Sequence, residues 1–189
     1  MLSSGYLSKN VASLGADLKK GGYSRRNIHW RILLSRRAWD EGLSPPLTGI
    51  YLAVTPSLAP QALIPKYAPF YRSREALKDG MTLMSKSTAL YDVAVEPDFA
   101  SPLWSPLLWP AGHTNLPPTF FQICGADLPR DEALIYERQL RLEHGTKTGV
   151  IVYPGLPHIF WYNYSSHTAA KKYVDDTRFA LGWLLGRES

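Results

Sequence analysis

The sequence predicts an α/β fold, a mainly parallel sheet flanked by helices, and three features predict it. Residues 119–124 (Thr-Phe-Phe-Gln-Ile-Cys) and 150–153 (Val-Ile-Val-Tyr) are short apolar runs closed by Gly125 and by Pro154-Gly155, the form of buried strands. Between them residues 130–144 have helical spacing, and the short connections of this strand, helix, strand unit favour a right-handed parallel crossover. A second amphipathic stretch over residues 166–185 supplies a helix to cover one sheet face.

Taken in order, residues 1–27 are poorly defined and show no strand pattern. Residues 28–39 place Ile28, Ile32, Ser35 and Trp39 on one helical face, with arginines on the others, and Asp40-Glu41-Gly42 closes the segment. After Pro45-Pro46, residues 47–54 read as a further parallel strand ended by Thr55-Pro56. Residues 56–118 form a loop-rich excursion, with Pro56, Pro60, Pro65 and Pro69 set among Tyr67, Phe70 and Tyr71. A short helix is expected near residues 81–91. Trp104 and Trp109 read as cover for core edges, with the wall of an apolar crevice as the alternative.

The helix over residues 130–144 is marked by Asp131 and Glu132 in its first turn, by Ala133, Tyr136 and Leu140 on one face, and by Gly145 beyond His144. The last helix turns Ala170, Tyr173, Val174, Thr177, Leu181 and Leu184 inward and Lys171, Lys172, Asp175 and Asp176 outward. No repeat or linker divides the chain, so residues 1–189 are expected to form a single domain.

Composition narrows the class. A chain of 189 residues, 45% hydrophobic and 12% aromatic, is globular, and no apolar run reaches the roughly 18 residues of a membrane span. The first residues lack the basic end and apolar core of a signal peptide, so a soluble cytoplasmic protein is the expectation. One cysteine, Cys124, excludes an intrachain disulfide and a zinc–thiolate cluster, and its place in an apolar run reads as a small buried hydrophobe. Of the 21 Lys and Arg residues, Arg25, Arg26, Arg31, Arg36 and Arg37 cluster early. They lack interleaved aromatics or a recognised nucleic-acid motif, so they read as a solvated helix face.

The chemistry concentrates at two loops. In open parallel sheets the reactive crevice lies beyond the carboxyl ends of the strands, where Asp127 and His158 fall. An Asp followed by a His on successive strand-end loops suits acyl transfer, in which the carboxylate fixes the imidazole tautomer and the imidazole accepts a proton from a nucleophile. Taken singly, each has a plainer reading, Asp127 as a loop or N-cap residue and His158 as a packing residue. Ser165 and Ser166 read as helix caps. His29, His113, His144 and His167 lack metal-ligand spacing, and Gly21-Gly22 lacks the Lys-Ser/Thr pair of a phosphate loop. No metal or cofactor is expected.

Three blocks carry a family resemblance: Pro117-Pro118-Thr119-Phe120, Gly125-Ala126-Asp127-Leu128-Pro129-Arg130-Asp131, and Tyr153-Pro154-Gly155-Leu156-Pro157-His158-Ile159-Phe160. They resemble the C-terminal signature blocks of the α/β-hydrolase fold, in particular the hormone-sensitive-lipase-like esterases. The likeness extends over Asp98-Phe99-Ala100-Ser101-Pro102-Leu103 to Ser105-Pro106-Leu107, over Asp40-Glu41-Gly42-Leu43-Ser44-Pro45-Pro46-Leu47-Thr48-Gly49 and, more loosely, over Asn10-Val11-Ala12-Ser13-Leu14-Gly15-Ala16-Asp17. It implies a partial α/β-hydrolase fold, truncated at its N-terminal side. It also implies a serine hydrolase acting on a small-molecule carboxylic ester, with Asp127 as triad acid and His158 as base. Relatives carry a nucleophile elbow, Gly-x-Ser-Ala-Gly-Gly-Asn, where this chain has Gly22-Tyr23-Ser24-Arg25-Arg26-Asn27.

Ser24 is thus the positional counterpart of the nucleophile. Arg26 stands where the sharp strand-to-helix turn needs a small residue, so Ser24 as a loop residue or helix N-cap remains the alternative. Relatives also have a His-Gly-Gly block that completes the oxyanion hole, and this sequence contains none. The alternative function is an inactive hydrolase remnant that acts as a binding protein. An exposed sheet edge is expected to promote self-association.

Overall fold

The computed structural model describes residues 47–187. Strands β1 (Ile50–Ala53), β2 (Thr119–Ala126) and β3 (Thr148–Pro157) form a parallel sheet in that order. The helices are α1 (Ser73–Ala76), α2 (Ser85–Val95), α3 (Arg130–Glu143), α4 (Phe160–Asn163) and α5 (Thr168–Leu184). The expected α/β architecture is therefore present. The helix expected over residues 28–39 and Ser24 lie outside the described residues.

Strand alternation assigns each residue to one of two cores. Ile50 and Leu52 of β1, with Phe121 and Ile123 of β2, meet Ala133, Tyr136 and Leu140 of α3 on one face. Tyr51, Ala53 and Phe120 meet Ala180 and Leu184 of α5 on the other, and Cys124, Tyr153, Phe160 and Tyr173 continue that core toward the strand ends. Helices on both faces explain why β1 and β2 read as continuous apolar runs rather than alternating ones. Burying each large side chain, Phe120 and Phe121 among them, contributes about 2–3 kcal/mol.

Gln122 breaks the apolar run yet is buried, and its amide is satisfied. Its Oε1 accepts from the Tyr51 hydroxyl and from Thr177 Oγ1 (2.9 Å), and its Nε2 donates to the Tyr153 hydroxyl (2.6 Å). Tyr153 donates in turn to Asp176 Oδ2 (2.8 Å). Asp176, expected to face outward, therefore bonds to the sheet. The contact stripe of α5 runs through Ala170, Tyr173, Thr177, Ala180 and Leu184, and Val174, expected inside, is exposed.

Other boundaries also moved. The cap of α5 is His167, whose Nδ1 accepts from the Ala169 amide (3.1 Å), rather than Ser165 or Ser166. The helix expected over residues 81–91 begins at Ser85, because Ser85 N donates to Lys78 O (2.8 Å) and closes residues 78–85 into a loop before α2 starts. At the end of α3, Gly145 adopts the left-handed conformation (φ 65°) that closes a helix. Among the described residues, no helix is long and apolar enough to cross a membrane.

Candidate active site

Three residues stand immediately beyond the three parallel strands: Val54 after β1, Asp127 after β2 and His158 after β3. Register brings the last two together. Tyr153 pairs with Cys124 and Pro157 pairs with Ala126, so β3 spends four residues where β2 spends two. This bulge levels His158 with Asp127. The sequence reading ended β3 at Pro154-Gly155, whereas the strand absorbs both residues in the bulge and continues to Pro157. The bulge also accounts for Gly125: a Cβ there would lie 2.7 Å from Tyr153 O and 2.9 Å from Pro154 Cα.

His158 Nδ1 lies 2.8 Å from Asp127 Oδ2. The Asp127 side chain is 1% exposed and that of His158 is 19% exposed. A carboxylate only accepts hydrogen bonds, so a proton on Nδ1 faces Asp127, and in the neutral ring this tautomer leaves the lone pair on Nε2. Asp127 Oδ1 is buried and receives no hydrogen bond among the described residues, which leaves His158 as the partner that satisfies this carboxylate.

The His158 loop is held from three sides. Thr82 Oγ1 donates to His158 O (2.8 Å). Ile159 has a left-handed backbone (φ 47°), and its carbonyl accepts from the amides of Tyr162 and Asn163 at 2.9 and 3.2 Å. Cys124 is buried in the apolar core as expected, and the amides of Ile159 and Phe160 face its thiol. Burial and the nearby Asp127 carboxylate push that thiol up to about 12, outweighing the two amides. It is therefore a neutral thiol with no nucleophilic character at neutral pH. Trp161 stacks on Tyr173 of α5 with centroids 3.8 Å apart, which fixes the outer side of α4.

A cavity of about 410 Å³ opens beside His158. Its walls come largely from the excursion, among them Leu58, Leu83, Tyr91, Phe99 and Trp104. Trp104 thus lines a crevice, the alternative entertained for it rather than core cover. Asp131 and Glu132, read from the sequence as first-turn acids that favour the helix dipole, do more than that. Asp131 Oδ2 accepts from the amides of Arg72 and Ser73, both at 2.7 Å. Glu132 accepts from the amides of Ser57 (3.0 Å) and Leu58 (3.3 Å) and from Tyr71 Oη (3.0 Å), and pairs with Arg74 Nη2 at 2.5 Å.

These two carboxylates tie the cavity walls to the helix that follows Asp127. Burial pushes the Glu132 carboxyl above its ordinary range despite the adjacent guanidinium. Sequence reasoning missed Thr82, Arg74 and the wider role of Glu132. Only the adjacency of Glu132 to the Asp127 loop hinted at the last. Among the described residues, no cluster of His, Cys, Asp and Glu could hold a metal ion.

A family model described as alpha/beta hydrolase fold matches residues 33–162. An AB hydrolase superfamily protein of Schizosaccharomyces pombe is 35% identical over 183 residues, which cover 95% of this chain and 54% of that protein. The versiconal hemiacetal acetate esterase of Dothistroma septosporum is 28% identical over 187 residues, covering 96% and 56%. Among solved structures, vibralactone cyclase superposes with a TM-score of 0.86 at 32% identity, covering 96% of this chain and 54% of that one. The chain spans about half the length of the curated relatives it matches. With more than half of its sequence matched by the family model and its parallel sheet and helices superposing on a solved relative, the chain belongs to the alpha/beta hydrolase family.

Proposed function

We propose that this chain carries the acid–base part of a carboxylic ester hydrolase site working through an acyl-enzyme. The reading rests on one observation: His158, with Nδ1 hydrogen-bonded to the buried Asp127 carboxylate, stands beside a partly apolar cavity. In this role His158 Nε2 removes a proton from the attacking hydroxyl and later returns it to the leaving alcohol. Asp127 holds the ring in the required tautomer and stabilises the imidazolium between those steps. Ser24 is the candidate nucleophile by sequence position and lies outside the described residues. The apolar part of the cavity wall, Leu58, Leu83, Tyr91, Phe99 and Trp104, suits an uncharged acyl or aromatic group, in keeping with the esterase among the relatives, while Arg74, Asp92 and Glu132 supply the polar part.

The test is turnover of p-nitrophenyl acetate by the purified chain. The expected result is hydrolysis above the buffer blank that falls about a thousandfold or more in His158→Ala and is abolished in Ser24→Ala. A wild-type rate equal to the blank overturns the reading. The departure from the elbow pattern at Gly22-Tyr23-Ser24-Arg25-Arg26-Asn27 motivates a second reading, an inactive member of the family that binds an ester or a partner without turning it over. Stoichiometric labelling of Ser24 by a fluorophosphonate probe contradicts it.

A further inference from the structure

We propose that Thr82 is a positioning residue for His158, its hydroxyl fixing the peptide group between His158 and Ile159 and thereby holding the imidazole against Asp127. Thr82 sits in the loop between α1 and α2, far in sequence from the histidine, and its Oγ1 donates to His158 O at 2.8 Å. That carbonyl belongs to the peptide whose amide is Ile159 N, so one plane sets both ψ of His158 and φ of Ile159. Ile159 is β-branched and held at φ 47°, a conformation that costs about 1–3 kcal/mol and persists only when its surroundings over-determine it.

Relaxation of Ile159 toward negative φ swings this peptide plane and carries the His158 carbonyl off Thr82. The other side of Ile159 cannot yield, because its carbonyl already accepts two amides of the α4 turn. The Thr82 hydroxyl therefore opposes the relaxation at the carbonyl side of this plane, whose Ile159 amide faces the Cys124 thiol on the other side. The loop that carries it is itself closed by the bond from Ser85 N to Lys78 O, and its residues Leu83 and Ser85 line the cavity. Thr82 thus connects the cavity wall to the orientation of the candidate base, acting through the backbone and touching no reacting atom.

This inference rests on the assignment of His158 as the base, and its first test does not depend on turnover. In the wild-type chain the Nδ1 proton of His158, assigned by its loss in His158→Gln, is expected as a sharp low-field resonance. Thr82→Val keeps the shape and removes the donor, and it is expected to broaden that resonance or move it upfield, as is Thr82→Ala. Thr82→Ser is expected to restore it. With p-nitrophenyl acetate, Thr82→Val is expected to lower kcat by about tenfold with KM little changed. A folded Thr82→Val or Thr82→Ala chain with a wild-type resonance overturns the proposal. A wild-type chain without turnover but with the expected resonance pattern overturns the ester hydrolase reading and supports the positioning role.

Discussion

Val54 and Ile159 share an unusual backbone: both are β-branched, both are left-handed (φ 46° and 47°), and Ile159 packs against the cluster that buries Val54. They follow or flank the ends of β1 and β3, where the candidate site lies. Replacing Val54 by Ala discards packing without relieving the backbone, and by Gly discards slightly more packing while removing strain of about 1–3 kcal/mol. Val54→Gly is therefore expected to be at least as stable as Val54→Ala, the reverse of the usual order. Urea midpoints of the two variants check it, and a clearly less stable glycine variant refutes the strain argument.

Gly125 tests the bulge. A methyl group there meets backbone atoms of Tyr153 and Pro154, which cannot step aside as the end of a long side chain can. Gly125→Ala is expected to cost about 1–3 kcal/mol and to weaken the Asp127–His158 bond by shifting the register. Unfolding in urea measures the first effect and the His158 imidazole resonance the second.

The ion pair of Arg74 and Glu132 is a structural commitment of the cavity wall. Arg74→Ala leaves a buried carboxylate without its counter-ion and is expected to destabilise the fold by about 3 kcal/mol. Glu132→Gln keeps the shape but turns one of the two accepting oxygens into an NH2 that faces other donors, so it is expected to destabilise the fold as well. Equal, small losses in both, read by thermal melting, mean that the pair contributes little.

Asp131 gives a pH dependence. Burial alone raises its carboxyl, but the Arg130 guanidinium and the amides of Arg72 and Ser73 outweigh burial and hold it below the ordinary 3.8. A depressed folded value means that the unfolded chain binds the proton first. The stability from Asp131 is therefore fully present above pH 3.8 and is lost as pH falls through the lower folded value. Asp131→Asn is expected to flatten the loss of stability on acidification, measured as urea midpoint against pH. An unchanged slope argues against the linkage.

The free edge of β3 leads to a last expectation. Among the described residues β3 pairs on one side, with β2, and Val150 and Val152 are 39% and 40% exposed. Self-association through this edge is expected, weakened by Val152→Lys. Size-exclusion chromatography across concentration reads it, and a monodisperse monomer at high concentration runs against it.

The sequence by itself determined the parallel order of strands and helices, because apolar run length, helical spacing and loop chemistry are local. Through motif and position it also singled out Asp127 and His158. It did not determine that the two meet, since that depends on a bulge in which Pro154-Gly155 reads locally as a strand end. Only the paired neighbour β2, with Gly125 opposite, turns those residues into part of a longer strand. Nor were Thr82, Arg74 and the burial of Glu132 legible. Their partners lie 76, 58 and 58 residues away, and a long-range hydrogen bond leaves no periodicity at either end. Local physics set the frame of this chain, and tertiary register decided the geometry of its site.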